Sequence, residues 1–177
     1  MSKESLIASL RTVPDYPKKG ILFWDVTTLF KDPVAFKEVE DILYEEFKDK
    51  GITKVAGIES RGFVMGAALA SRLGAGFVLI RKPGKLPADT VSMEYDLEYG
   101  RDKIEMHTDA ITPDDVVLVH DDLLATGGTA NAAIRLVQQF QPKQVYASFI
   151  IYLKDFGSAA RFPKDVPVTT VLDLAGA

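Results

Sequence analysis

The sequence predicts an α/β protein built on a doubly wound, mostly parallel sheet flanked by helices. Short apolar runs alternate with helix-period stretches along most of the chain, as in KVAGI (54–58) followed by the Ala- and Leu-rich segment 62–73. Strands separated by helices of that length pair in parallel. The runs VVLVH (116–120) and VYASFIIYL (145–153) are apolar at most positions and read as buried strands. In such sheets, ligands bind beyond the carboxyl ends of the strands.

Each element has its own signal. Residues Lys3–Leu10 suit a short helix before the Pro14/Pro17 segment, and Gly20–Trp24 is an apolar stretch after a turn signal. Asp32 followed by Pro33 reads as an N-cap with proline in the first turn. Phe36, Val39, Leu43 and Phe47 follow at helical spacing as a core stripe, and Gly51 closes that element. The strand Lys54–Ile58 leads to a helix over Gly62–Leu73, stopped by Gly74, and then to a strand over 76–80. After the strand 116–120, a helix over Thr129–Phe140 turns Ala133, Leu136, Val137 and Phe140 inward. Strands over 145–153 and 168–174 complete the set, with no internal repeat or low-complexity segment. From Arg81 to Thr108 the alternation breaks into a polar excursion whose middle resembles a hairpin. Such excursions are usually functional, and the aromatic residues here favour a lid over a linker. With few apolar anchors between Asp96 and Lys103, the lid is expected to order when the site fills.

Composition bounds the function. The chain has 177 residues, 47% apolar and 26% charged, which fits one domain over 1–177 with a sizeable core. A net charge of −4 argues against nucleic acid as a partner. Absence of cysteine excludes disulfides, thiolate metal sites and cysteine nucleophiles. No apolar run approaches the roughly 20 residues of a membrane helix, and no signal core opens the chain, so no membrane partner and a cytoplasmic location are expected.

The chemistry concentrates in DDLLATGGT (121–129). A buried strand emerges at the ligand edge with Asp121 and Asp122, then Ala125, Thr126, Gly127, Gly128 and Thr129 turn into a helix. The glycines let the backbone approach an anion, the helix start aims N–H groups at it, and the threonines add hydroxyls. No Gly-Lys-Ser/Thr follows, so this is not a Walker loop, and no GxGxxG stands at a strand end. The loop suits a terminal monophosphate, with both carboxylates at the strand end, outside the core, accepting from sugar hydroxyls. A plain strand–turn–helix corner is the competing reading. Two cationic clusters, Glu59-Ser60-Arg61-Gly62 and Arg81-Lys82-Pro83-Gly84-Lys85, fall at other strand ends and could hold a second anion such as pyrophosphate.

Taken together, DYPKKGILFWDVT, ESRGF, RKPGKLP, YDLEYG and VVLVHDDLLATGGT make the chain resemble the type I phosphoribosyltransferases. DDLLATGGT is shared by much of that fold, while RKPGKLP with YDLEYG is specific to the branch acting on adenine. The resemblance implies a small hood over 1–32 and a flexible hairpin flap over about 94–107. It implies transfer of the 5-phosphoribosyl group from phosphoribosyl pyrophosphate to adenine, giving AMP and pyrophosphate. The 5-phosphate would lie on Ala125, Thr126, Gly127, Gly128 and Thr129, and the ribose hydroxyls near Asp121 and Asp122. Pyrophosphate would lie near Ser60, Arg61, Arg81, Lys82 and Lys85, shared across a homodimer. Arg61, Arg81 and Lys85 would stabilise the leaving group together with Mg²⁺, itself held chiefly by substrate oxygens. Phe23 would stack on the base and the Leu22 backbone would read its amino group. Glu98 would meet the base's N7 edge, and the flap with Glu98 and Tyr99 would close over the site. The resemblance further implies a cis peptide at Glu59–Ser60.

Two positions depart from the family. Trp24 stands where arginine is usual and is expected to border the base platform; His120 stands where an apolar residue is common and is expected to be packed or hydrogen-bonded. His107 reads as a surface residue. Two other functions remain compatible with these motifs: transfer to another purine base, and a non-catalytic regulator that binds phosphoribosyl pyrophosphate.

Overall fold

The computed structural model describes residues 1–97 and 99–176. A five-stranded sheet of β3 (Lys54–Ile58), β4 (Gly76–Ile80), β7 (Val116–Leu124), β8 (Gln144–Leu153) and β9 (Val168–Leu174) forms the centre. Its order is β4-β3-β7-β8-β9 with every neighbouring pair parallel, as the alternation predicts. The chain builds outward from β3 in one direction and from β7 in the other. The strand order therefore reverses between β3 and β7, the crevice where open α/β sheets bind ligands.

Both faces are covered. One carries α1 (Lys3–Ala8), α2 (Thr27–Phe30), α3 (Pro33–Phe47) and α4 (Gly62–Leu73), whose buried Leu6, Leu29, Val39, Leu43, Met65 and Leu69 share a cluster with Leu118 and Ile150 of the sheet. The other carries α5 (Gly128–Gln138), packed through Ala133, Ile134, Leu136 and Val137 with Val117, Val119 and Phe149. Both expected helix punctuations are present. The Asp32 carboxylate accepts from the N–H groups of Val34 (2.9 Å) and Ala35 (3.3 Å). Gly74 stops α4 in the left-handed region at φ 70°. On α3, Ala35 takes the buried position, while Phe36 is half-buried against the ring of Phe30 at 5.9 Å. Helix α1 ends at Ala8, two residues short of the expected Leu10, and α5 starts at Gly128 and ends at Gln138.

Two smaller antiparallel pairs sit outside the sheet. β1 (Arg11–Pro14) and β2 (Leu22–Asp25) form a short hairpin near the amino terminus, in which β1 had no clear sequence signal. β5 (Thr90–Asp96) and β6 (Arg101–His107) form the hairpin expected inside the polar excursion, in register from Thr90↔His107 to Asp96↔Arg101. Its foot is anchored: Ile104 and Met106 are buried under α5, and Arg81 bridges to Glu105 through reciprocal backbone hydrogen bonds of 3.0 and 2.7 Å. Its tip carries Leu97 and Tyr99 into solvent.

One boundary needs correction. The strand expected to stop at His120 continues to Leu124, with Asp121, Leu123 and Leu124 in register with Phe149, Ile151 and Tyr152. Acidic residues read as a strand end in isolation, but the long β8 offers a ladder beyond His120 that the local sequence cannot reveal. Asp122 is accordingly buried and does not lie outside the core.

His120 is also wholly buried, with Nδ1 2.9 Å from the Ser148 hydroxyl and Nε2 without a partner among the described residues. Burial lowers its pKa to about 4, against the pull of Asp122 and Ser148. Because the folded value lies below the unfolded one, stability is complete above pH 6.5 and is lost as the pH falls towards 4. Between pH 7.5 and 5 this group alone should remove about 2 kcal/mol of stability. Urea unfolding of wild type and His120→Val at both pH values should show a smaller acid loss in the variant; equal losses would contradict the assignment.

Candidate active site

The loops after β3 and β7 emerge side by side at the switch point. After β7, Ala125 and Thr126 lead to Gly127, at φ 84°, and the chain enters α5 with Asn131 N–H donating to the Gly127 carbonyl at 2.8 Å. Gly127 needs to be glycine for two reasons. Its φ lies in the left-handed region, and a Cβ would come within 2.8 Å of Ser158 Cβ behind the loop. N–H groups of the first turn of α5 lack helical acceptors, and they face a cleft of about 220 Å³ lined by Glu59, Lys82, Asp121 and the loop itself. After β3, the Glu59–Ser60 peptide is cis, as expected, and Arg61 stands at the start of α4. Gly62 allows that start to lie on β7, where a Cβ would sit 2.9 Å from the His120 carbonyl.

The cations gathered here are held by carboxylates. Glu59 accepts from Arg81 Nε at 3.0 Å, from the Lys82 backbone N–H at 3.1 Å and from Lys85 Nζ. Burial works against its charge, but Lys85, the Lys82 amide and Arg81 outweigh that and hold the carboxyl below its usual range. Lys82 Nζ donates to Asp102 of the hairpin and to the Tyr95 hydroxyl at 3.1 Å. Tyr95 in turn receives a bond from the Thr129 hydroxyl at 3.2 Å. The hairpin, the Lys82 loop and the start of α5 are thus joined through one tyrosine.

Arg61 takes a different position from Arg81 and Lys85. Its Nε lies 2.6 Å from the Asp122 carboxylate, and its guanidinium stands 5.9 Å from the centre of the Phe23 ring. Burial, then the adjacent Asp122 carboxylate, raises the Asp121 carboxyl well above the ordinary range. The two aspartates therefore resist carrying two full charges together, and Arg61 offsets Asp122.

Phe23 is half-buried on β2, with Tyr16 edge-on at 5.1 Å. The strand is pinned by Asp25, which accepts from Thr27 N–H (2.9 Å), the Thr27 hydroxyl (2.6 Å) and Arg11 Nε (2.9 Å). Burial opposes the Asp25 charge, yet Thr27 and Arg11 bring its pKa down to about 2. Trp24 does not border the Phe23 face as expected. Side chains alternate along a strand, and the indole turns away to donate to the Ala175 carbonyl at 2.9 Å.

The structure therefore brings together Ser60, Arg61, Arg81, Lys82, Lys85, Asp121, Asp122 and residues 125–129 around the switch point, with Leu22 and Phe23 on the adjoining hairpin. Tyr99 lies at the flap tip, bordering a second cleft of about 540 Å³ with Asp96, Thr126, Thr129 and Arg161. Glu98 lies outside the described residues. Sequence reasoning missed Glu59 as the acceptor for the cations, although a lone carboxylate between two cationic strand ends was a usable signal. It also missed Tyr95 and Asp102, whose partnership is set by the hairpin register Tyr95↔Asp102. Arg161 gave no signal.

Fold and site together define a protein of the phosphoribosyl-transfer class. Residues 25–174 match the phosphoribosyl transferase domain, and the chain belongs to that family. Among its relatives is the adenine phosphoribosyltransferase of Bacteroides thetaiotaomicron, 60% identical over 98% of this chain and 99% of the relative. The adenine phosphoribosyltransferase of Rhodothermus marinus superposes with a TM-score of 0.92 at 50% identity, over 97% of this chain and 98% of that one. The Giardia lamblia enzyme, solved in complex with 9-deazaadenine, superposes at 0.91 with 38% identity, over 98% of each chain.

The loop geometry is directly testable. Gly127→Ala should weaken binding of ribose 5-phosphate by at least about tenfold, through the backbone strain and the Ser158 clash together. Calorimetric titration would show it; unchanged affinity would mean that the phosphate group sits elsewhere.

Proposed function

We propose that this chain is an adenine phosphoribosyltransferase, joining adenine to the ribosyl carbon of phosphoribosyl pyrophosphate with release of AMP and pyrophosphate in purine salvage. The observation that carries the reading is the meeting, at one switch point, of a glycine-turned helix start, a paired carboxylate and a cation cluster on neighbouring strand ends. Full-length similarity to enzymes of that name supports the base.

In this reading the 5-phosphate rests on residues 125–129, while Asp121 and Asp122 accept from the ribose hydroxyls. Adenine stacks on Phe23, with the Leu22 carbonyl accepting from its amino group. As the anomeric C–O bond breaks, the electron pair leaves with pyrophosphate and the sugar gains positive charge. Arg81, Lys82 and Lys85 exchange Glu59 and Asp102 for the departing oxygens, and Arg61 moves from Asp122 toward them. Well-placed donors of this kind are worth roughly 3 kcal/mol each in the transition state. The base nitrogen N9 bonds to the sugar and its proton departs to pyrophosphate or water. Glu98 meets the N7 edge, and the flap with Tyr99 excludes water that would hydrolyse the activated sugar.

Magnesium fits this site as a substrate-held ion. Among the described residues no group of three or more acidic or histidine side chains gathers at metal-binding distance, so pyrophosphate and ribose oxygens would supply most ligands. Bound there, Mg²⁺ would supply charge neutralisation of the leaving group. A homodimer sharing the pyrophosphate seat is part of the reading, supported by the exposed apolar Val64 and Leu79 on α4 and the edge strand. A cytoplasmic location is also proposed; among the described residues no helix is long and apolar enough to cross a membrane.

The test is a turnover assay with adenine, hypoxanthine, guanine and xanthine, following pyrophosphate release. The oxo-purines place an acceptor against the Leu22 carbonyl, and an unpaired buried polar group of that kind discriminates by roughly 10⁴. Adenine should win by at least about a thousandfold in kcat/KM. Use of hypoxanthine or guanine within tenfold would overturn the base assignment, and no turnover with any base would favour a regulator. Asp121→Asn, at the less buried of the two carboxylates, should lower kcat/KM by at least about a hundredfold; near-normal turnover would remove Asp121 from the ribose site.

A further inference from the structure

The base platform belongs to the β1–β2 hairpin, which shares no backbone ladder with the central sheet. The 5-phosphate loop, in contrast, grows directly out of β7. A reaction joining a base on one to a sugar on the other requires their spacing to be fixed. Reacting atoms misplaced by about 1 Å can cost two orders of magnitude in rate.

Two ties hold β2 from its carboxyl end. Asp25 is bonded to Thr27 and Arg11, and α2 follows with Val26 and Leu29 buried. The first stays within the amino-terminal segment, and the second reaches the sheet through non-directional apolar packing with Leu118 and Ile150. Trp24 provides one that crosses the molecule. Its half-buried ring packs against the helix-covered cluster that holds Leu153, Leu172 and Leu174, and its Nε1 donates to the Ala175 carbonyl, 151 residues away in sequence. Ala175 is itself fixed by its neighbour. The Gly176 N–H donates to the Asp155 carboxylate at 3.0 Å, and Gly176 lies so close to Phe156 that a Cβ would stand 3.1 Å from its ring. Asp155 lies in the 3-10 turn Lys154–Phe156 that directly follows β8, so the tie ends on the sheet.

We infer that Trp24 is a positioning residue: its bond to Ala175, backed by Gly176 and Asp155, sets the place of Phe23 relative to the phosphate loop and so governs binding of the base but not of the phosphorylated sugar. Phe23 and Trp24 are adjacent and face opposite sides of β2, so any shift of the indole carries the platform with it. The inference rests on the proposed stacking of adenine on Phe23.

The experiment compares wild type, Trp24→Phe, a chain ending at Leu174, the combination of both, and Asp155→Ala. Trp24→Phe keeps an aromatic ring and removes the N–H. Losing one neutral hydrogen bond should raise KM for adenine about threefold to tenfold. KM for phosphoribosyl pyrophosphate should stay within twofold of wild type. The shortened chain should show the same split, and the combined variant should be no worse than the worse single one, since both remove the same bond. Asp155→Ala should move adenine KM in the same direction by less. Trp24 is the only tryptophan in the chain, so its emission reads the tie without reference to catalysis. It should shift to the red when residues 175–177 are removed. Additive effects, parallel rises in both KM values, an unmoved adenine KM, or unchanged emission would each overturn the inference. A wild-type chain that does not use adenine would instead overturn the functional reading on which it rests, while the emission still tests the tie itself.

Discussion

The parallel pairing of β3 with β7 is the constraint on which the site depends. It places the loop after Ile58 beside the loop after Leu124, and the chain leaves these strands in opposite directions across the sheet. Small residues shape the junction. Gly57, opposite His120 in the ladder, leaves room for the Phe77 ring, which a Cβ there would meet at 2.5 Å, and Gly62 lets the start of α4 lie on the β7 backbone. A side chain at Gly62 would push the helix away from β7 and take Arg61 with it. The same closeness leaves the His120 imidazole sealed between strands and helix, where its neutral form is favoured.

Around that junction, charge is balanced internally. Glu59 serves Arg81 and Lys85, Asp102 serves Lys82, and Asp122 serves Arg61. The cations in these pairs keep part of their surface exposed, so an incoming anion can reach them while the carboxylates hold them oriented beforehand. The Tyr95 hydroxyl joins this network to the phosphate loop. The hairpin and the 125–129 loop are in this way mechanically connected.

Much of this was legible in the sequence. The alternation of apolar runs and helical stripes fixes a parallel sheet, because each pattern admits one secondary structure and the connection lengths admit one pairing. The tight turn from β7 into α5 was legible because glycines directly after a buried strand mark a sharp change of direction. What stayed hidden depends on partners distant in the chain. β7 extends through both aspartates because β8 is there to pair with it. The alliance of Lys82 with Tyr95 and Asp102 follows from a hairpin register. Trp24 read as a neighbour of the base because Phe23 adjoins it, yet strand alternation sends it to Ala175 instead. Glu59 was visible but silent: a carboxylate among cations signals pairing only once the strand ends are known to converge.

The most direct measurement is hydrogen exchange of the intact chain with AMP, and then with AMP plus magnesium pyrophosphate. If one site is built at the β3–β7 junction, AMP should slow exchange in peptides covering residues 21–25 and 121–131 together. Added pyrophosphate should extend the protection to 58–63, 80–86 and the hairpin. Protection confined to one of these loops, or appearing at the opposite ends of the strands, would contradict a shared site at the switch point.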